Sequence, residues 1–554
     1  MSVSPSYPGL YIQEVPSSSH AIVPAPTSLG AFVGYVHPYK NPGFDVNGLT
    51  PAIQLFSFRD YETYFGGLYT SGLTDASLPR AVYQFFLNGG STAYVCGLRP
   101  GFVDTAGNTV RLGAGGTTLT ANLVTTGTGG IVFTAREPTD IVPMNVSVIN
   151  IRDDLTANPI ANGVRRMFDL VVTYGTRVET YRGLLLPNAV AATDFKAVNA
   201  ASSLISMAPI APGGVPNWGA PFPAPFTPSS TGTFAMTPTP AAAAATGFVA
   251  SDFLAAFAAN GPLDNVEIFN LLLVPGVTDF SVVSGAMAFA ERKRAFAIID
   301  PPPQAPAVRS SAAPPTPAPI KDWMEGIGGP TGPSLPRSQN AALYFPYLNS
   351  ADPVTGGVVP MAPSGFVAGI YARTDASRGV WKAPAGLATT VLNTSGPVLS
   401  GVMNDPQQGV LNLDSINCLR SFSGIGTVVW GARTTVANNT AFAQSMYVPV
   451  RRMTLFIEQT LLANLRWVVF EPNDEPLWAA IRSSIEGFML SLFKQGALQG
   501  ATPSAAFQVK CDATTTTSDD QLKGIVNIVV AFAPLKPAEF VIIQIAQLAG
   551  QTAS

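Results

Sequence analysis

The side chains in this 554-residue protein that could do chemistry are few and badly placed for it. There are two histidines, His20 and His37, both within the first forty residues, and His20 lies in the proline-containing stretch SSSHAIVPAP. A Ser-His-Asp hydrolase needs an imidazole oriented by the folded core, and residues 186–440 contain no histidine. Zinc chemistry fails because neither histidine has a ligand partner at usable spacing. No Gly-Lys pair occurs anywhere, so a phosphate loop lacks its lysine. GIGTVV (424–429) has Val429 where a dinucleotide loop would carry its third glycine, and its surroundings predict a packing strand. The acidic pairs Asp153-Asp154 and Asp519-Asp520 sit in polar, turn-like contexts, and nothing around them points to carboxylate catalysis. Cys96, Cys418 and Cys511 lie in apolar or strand-like settings and are expected to be buried free thiols. No catalytic, cofactor-binding or metal-ligating residue is assigned, no cofactor is expected, and the chain is read as not an enzyme.

Composition turns attention to surfaces. Only 12% of residues are charged, against about 25% in ordinary soluble proteins, while 47% are hydrophobic. So few charges imply large areas covered by copies or partners, the alternative being a merely Ala/Gly/Pro-rich globular protein. The net charge of −3, with Arg292-Lys293-Arg294 as the densest basic run, argues against nucleic acid as a partner. No apolar run approaches the roughly 18–20 residues of a membrane span, and MSVSPSYPG has no secretory leader pattern. Synthesis and folding in a cytoplasm, without membrane insertion, are therefore expected.

The elements that would position any site read as α/β and α+β in several domains. TSLGAFVGYVHP (27–38) predicts a buried strand, followed by a helix over about 78–87, a stop at Asn88-Gly89-Gly90 and a strand over 93–98. Residues 101–185 turn Thr/Gly-rich and alternating, as a small inserted β-rich domain would. VEIFNLLLVPGV, FSVVSGAMAFAERKR and AFAIIDPPP predict strand, helix and strand in a parallel βαβ unit. Two Pro/Ala-rich stretches, 209–246 and 301–319, predict long surface loops. RRMTLFIEQTLLANLRWVVF reads as a helix with a short strand after it. A second helix over 475–495, capped by Asn473 or Asp474, carries the stripe Leu477, Trp478, Ile481, Ile485, Phe488, Met489, Leu492 and Phe493. Strands follow at AAFQVKCD and GIVNIVVAFAP, and AEFVIIQIAQLAG predicts a terminal strand.

Both ends thus read as strands set off by spacers. Leu10, Tyr11, Ile12, Gln13, Glu14 and Val15 are strand formers bounded by Pro8-Gly9 and Pro16, and Pro16–Ser28 predicts an extended, weakly structured connector.

Taken together, YPGLYIQEV, AFVGYV, AVYQFFLNGGSTAYV, FNLLLVPGV, AFAIIDPPP, AALYFPYL and PSGFVAGIYARTDASRGVWKAPAG carry a resemblance that single motifs would not. GVLNLDSINCLRSF, VVWGART, the long stretch from RRMTLFIEQ to KQGALQG, AAFQVKCD and PLKPAEFVIIQIAQ extend it along most of the chain outside 101–165 and 206–247. In these motifs the sequence resembles the contractile tail sheath protein family of bacteriophage tails, tailocins and extracellular contractile injection systems. Gly386 departs from the family's usual Asn after KAPA, and the proline-rich inserts match no family motif.

The resemblance implies a structural subunit made in the bacterial cytoplasm and assembled into a phage tail or injection particle. It would polymerise as stacked rings, sixfold by analogy, around an inner tube protein, with baseplate and terminator or cap proteins as further partners. Contraction would come from relaxation of a metastable extended state. The implied layout is an extended arm (1–28), an α/β segment (29–100), an inserted outer domain (101–185), a non-catalytic subtilisin-like middle domain (186–440), an α+β C-terminal core domain (441–538) and a strand arm (539–554). On this reading Leu10–Val15 and the stretch Phe540, Val541, Ile542, Ile543 and Ile545 pair with sheets of neighbouring copies, and Arg482, Glu486 and Lys494 are candidate tube contacts. The rival readings are a subtilisin-type serine hydrolase, which lacks its histidine, and a static coat or surface-layer protein.

Overall fold

The computed structural model describes residues 20–72, 75–103, 109–111, 120–124, 130–138, 141–142, 144–153, 166–185, 193–209, 248–303, 319–326, 334–398 and 403–544. The chain divides into two compact units. One comprises Ser28–Arg373 and Ala385–Asn438; the other comprises Met1–Thr27, Thr374–Pro384 and Asn439–Ser554.

The larger unit is built on an eight-stranded sheet. In spatial order its strands are Gly426–Trp430, Ile416–Phe422, Ala341–Phe345, Phe296–Ile299, Leu271–Leu273, Gly30–Tyr35, Ala93–Leu98 and Ile53–Leu55. The inner neighbours pair in parallel, and each edge strand is antiparallel. Helices cover parallel strands on both faces, so such strands must be apolar throughout. LLL at 271–273 and FAII at 296–299 are buried at every position. The connecting helix Phe280–Arg292 starts where Asp279 accepts from the amides of Ser281 and Val282.

Two glycines decide how one helix packs on this layer. A Cβ at Gly365 would sit 2.4 Å from the carbonyl oxygen of Ala81, and one at Gly369 would sit 2.6 Å from that of Phe85. Spaced four residues apart on the Ser364–Arg378 helix, they let its backbone lie directly against the Ser77–Leu87 helix.

The β-rich insert has its own core of Phe133, Met144, Val146, Phe168, Leu170, Val172 and Tyr174, joined by Val198, Leu204, Ile205 and Met207. Its boundary differs from the expected 185. The strand Ile205–Pro209 pairs antiparallel with Gly130–Ala135, so residues through 209 return to the insert. A strand's partner is a long-range fact that composition does not carry.

In the smaller unit, the helices Val448–Asn464 and Glu475–Lys494 and the strands Phe507–Lys510 and Val529–Phe532 enclose one core. It holds Met453, Phe456, Ile457, Trp478, Ile481, Ile485, Phe488, Met489, Leu492 and Val509. Asp474, not Asn473, caps the second helix; Asn473 instead accepts from the indole N–H of Trp478 at 2.9 Å.

Candidate assembly interface

Alternation builds the small sheet. Its inner face carries the cross-strand pairs Phe507 with Phe532 and Val509 with Val530, packed on the helical core. Gln508 with Ala531 and Lys510 with Val529 face outward. Among the described residues no third strand joins it, so each strand presents one unpaired edge. Two-stranded sheets are marginal alone, and helix packing sustains this one. Open edges remain templates for another strand.

The segment after it has strand-forming composition and no strand. Phe540, Val541, Ile542 and Ile543 are 72, 80, 85 and 78% exposed, and residues 537–544 adopt no secondary structure. The terminal strand predicted from AEFVIIQIAQLAG is therefore not formed at 539–544 within the single chain, where Glu539 instead accepts from the Tyr447 hydroxyl at 3.0 Å. Leu10–Val15 and Ile545 lie outside the described residues.

A second expected strand is also missing. After the Val448–Asn464 helix the chain makes a 3-10 turn at Arg466–Val468 and then places Phe470 at φ +73° with its side chain fully exposed. A left-handed backbone at a bulky residue stores on the order of 1 kcal/mol or more, and the apolar periodicity of WVVF gave no hint of it.

The N-terminal connector is not free along its whole length. The amide of Val23 donates to Asn464 Oδ1 at 2.9 Å, and Asn464 Nδ2 donates back to the Val23 carbonyl at 2.8 Å. The Ala25 amide donates to Thr460 Oγ1, Arg452 Nη2 donates to the Thr27 carbonyl, and the His20 ring stacks on Trp467 at 4.0 Å. Arg452 is itself held by a bidentate pair with Asp375, at 2.9 and 2.6 Å, with both side chains buried.

Of the three candidate tube contacts, Arg482 is engaged within its own unit, donating to Glu475 at 2.7 Å and to the Cys511 carbonyl. Glu486 and Lys494 lie exposed on the same helix.

The larger unit contains the polar clusters that an enzyme reading would examine. At the carboxyl ends of the parallel strands, Asp300 accepts from the Ser364 amide (2.7 Å), the Ser364 hydroxyl (2.6 Å) and the Gly276 amide (2.9 Å). Burial raises its carboxyl to about 6 despite these bonds. A cavity of about 210 Å³ beside it is lined by Thr70, Asp75, Ser77, Arg80, Gln84 and Tyr347. Ser364 is fully buried and spends its proton on Asp300. His37 is elsewhere: its Nδ1 accepts from the amides of Tyr39 and Lys40, which places its proton on Nε2, donated to Glu137 at 2.8 Å. Glu137 also accepts from Lys40 (2.6 Å) and Arg177 (2.7 Å). Burial alone would raise this carboxyl, but the bond from His37 and the nearby positive charges bring it down to about 2. The cluster ties the sheet layer to the β-rich insert, and the sequence, with its members about 100 residues apart, offered no signal for it.

Among the described residues there is no group of three or more His, Cys, Asp or Glu that could hold a metal ion, and no helix long and apolar enough to cross a membrane. All three cysteines are free and buried.

Comparison with known proteins assigns the chain. Residues 243–435 match the family model of the phage tail sheath protein central domain, and residues 443–547 match that of the phage tail sheath C-terminal domain. The chain belongs to the contractile tail sheath family. It is 29% identical over 165 residues to the tail sheath protein of Burkholderia phage BcepMu, covering 29% of this chain and 34% of that one. To the tail sheath protein of Salmonella phage ViI it is 26% identical over 155 residues, covering 28% and 23%. The matches thus span about a third or less of these relatives. In fold, the chain is similar to the sheath of the extracellular contractile injection system PVC in its contracted state. The TM-score is 0.53 at 20% identity, covering 99% of both chains. The anti-feeding prophage helical sheath in contracted state gives 0.51 at 20% identity, covering 98% of this chain and 100% of that one.

Proposed function

We propose that this chain is a sheath subunit that polymerises helically around an inner tube and contracts from a metastable extended state to drive that tube through a target envelope. The observation that carries the reading is the pairing of supply and demand in the smaller unit: a sheet that no third strand joins among the described residues, and an exposed run of strand formers, Phe540 to Ile543, that forms no strand. A copy's terminal segment added to a neighbour's edge satisfies both, at a net of about 0.5–1.5 kcal/mol per hydrogen bond plus burial of Val541, Ile543 and their neighbours. Leu10–Val15 supplies the second strand.

The partners in this reading are further copies in stacked sixfold rings, an inner tube met by the exposed face of Glu475–Lys494 at Glu486 and Lys494, and baseplate and terminator proteins. The eight-stranded layer serves as a non-catalytic, subtilisin-like body, and the insert as its outer decoration. Synthesis is cytoplasmic, with assembly into a phage tail or injection particle.

Deletion of residues 1–19, or truncation after Ala538, tests it. Each product should melt as the parent subunit does yet form no tubes by electron microscopy. Tubes of normal length and abundance from both would end the proposal, and flat sheets from the parent chain would favour a static coat.

A further inference from the structure

The contacts between the N-terminal connector and the Val448–Asn464 helix follow a pattern. Val23, Ala25 and Thr27 contribute backbone groups, whereas the positions between them are Pro24 and Pro26, which have no amide hydrogen to leave unsatisfied. Thr460 and Asn464 are one helical turn apart, about 6.0 Å along the axis, and alternate residues of an extended chain are about 6.6 Å apart. The two repeats match, so neighbouring side chains on one helix face grip successive alternate residues of a strap running antiparallel to them. The Val23 and Ala25 positions are gripped through their backbone, Val23 being 68% exposed, while the His20 ring stacks on Trp467 and Ile22 packs against the core. The prolines also stiffen the strap before it docks, which lowers the entropy lost on docking.

We infer that residues 20–27 are a cis anchor, in which Thr460, Asn464 and Trp467 act as positioning residues that fix where the N-terminal arm leaves its own subunit and how far it reaches toward a second copy. This rests on the proposed arm exchange and specifies its geometry. Tethered from Ser28, the strand at Leu10–Val15 would have roughly 13 connector residues and a reach of about 43 Å; tethered from Ile22 it has roughly 7 and about 23 Å. The open edge that receives it on the neighbouring copy therefore lies within that shorter distance of the anchor. A shorter tether also concentrates the arm near its target: effective concentration falls as about the −3/2 power of tether length, so the anchor raises it roughly 2–3-fold.

Hydrogen exchange on the purified full-length subunit, followed by assembly, tests this. In the parent protein the Val23 and Ala25 amides should be protected although their residues lie at the surface. The pair Thr460→Val with Asn464→Leu should speed exchange roughly fivefold at each, leave the melting temperature of the subunit within a few degrees, and raise the critical concentration for tube assembly roughly 2–3-fold. Thr460→Ser, which keeps the hydroxyl, should retain protection at Ala25. Unprotected amides in the parent, or a double variant that assembles at the parent's critical concentration, would overturn the anchor. Residues 1–19 can be deleted with the strap left in place, so normal assembly of that deletion would defeat the arm reading while Val23 and Ala25 still report on the anchor.

Discussion

At the scale of single residues, two buried carboxylates pull the stability of the larger unit in opposite directions with pH. Glu137 holds its proton less readily folded than unfolded, so its contribution is complete above the ordinary value of 4.5 and disappears as the pH falls through about 2. Asp300 holds its proton more firmly when folded; its contribution is complete below 3.8 and is lost as the pH rises through about 6. Each is on the order of 3 kcal/mol. Denaturant titrations of the subunit should show stability rising from pH 7 toward 5 and falling below about 4.5. Glu137→Gln should lower stability at pH 7 and flatten the acid limb alone, because it leaves His37, Lys40 and Arg177 with a neutral partner. A Glu137→Gln protein whose acid limb matches the parent's would show that the cluster is not the source. None of this was legible beforehand, since His37 and Glu137 carry no local pattern that pairs them.

Elements were far more readable. The Glu475–Lys494 helix announced itself through its stripe and the capping residue before it, and the parallel strands through unbroken apolar runs. Capping and periodicity are local, so they survive without knowledge of the partner. The strand expected after the first C-terminal helix failed for the same reason: VVF has strand propensity, but the folded chain makes a 3-10 turn at Arg466–Val468 and holds Phe470 in a left-handed backbone. Gly365 and Gly369 are another pairwise fact. Gly365→Ala should destabilise the larger unit by about 1–3 kcal/mol in chemical denaturation, because its methyl group would meet backbone that cannot move aside as a side chain can. An unchanged unfolding midpoint would mean that the two helices separate without cost.

For the whole molecule, the sequence offers no Gly-Lys pair from which a phosphate loop could be built. On the proposed reading the stroke is stored during assembly, with the arms keeping copies linked as the bodies reorient. Purified sheath should therefore shorten on a trigger such as mild denaturant with no nucleotide present, as seen in tube length by electron microscopy. A strict requirement for ATP would contradict stored assembly energy as the source.

The amino-acid sequence by itself determined the α/β and α+β character, the buried strands, the two C-terminal helices and the poverty of catalytic groups. Its motif order also pointed to the sheath family. These rest on composition and on periods of two or 3.6 residues, which are read within a single segment. Tertiary structure alone decided that residues through 209 return to the insert, that Glu137 is gripped by His37, Lys40 and Arg177, and that Val23 is held by Asn464 across 441 positions of chain. The physical reason is common to all three: each depends on which groups the folded backbone brings within hydrogen-bond distance, and no local pattern encodes a partner that far away.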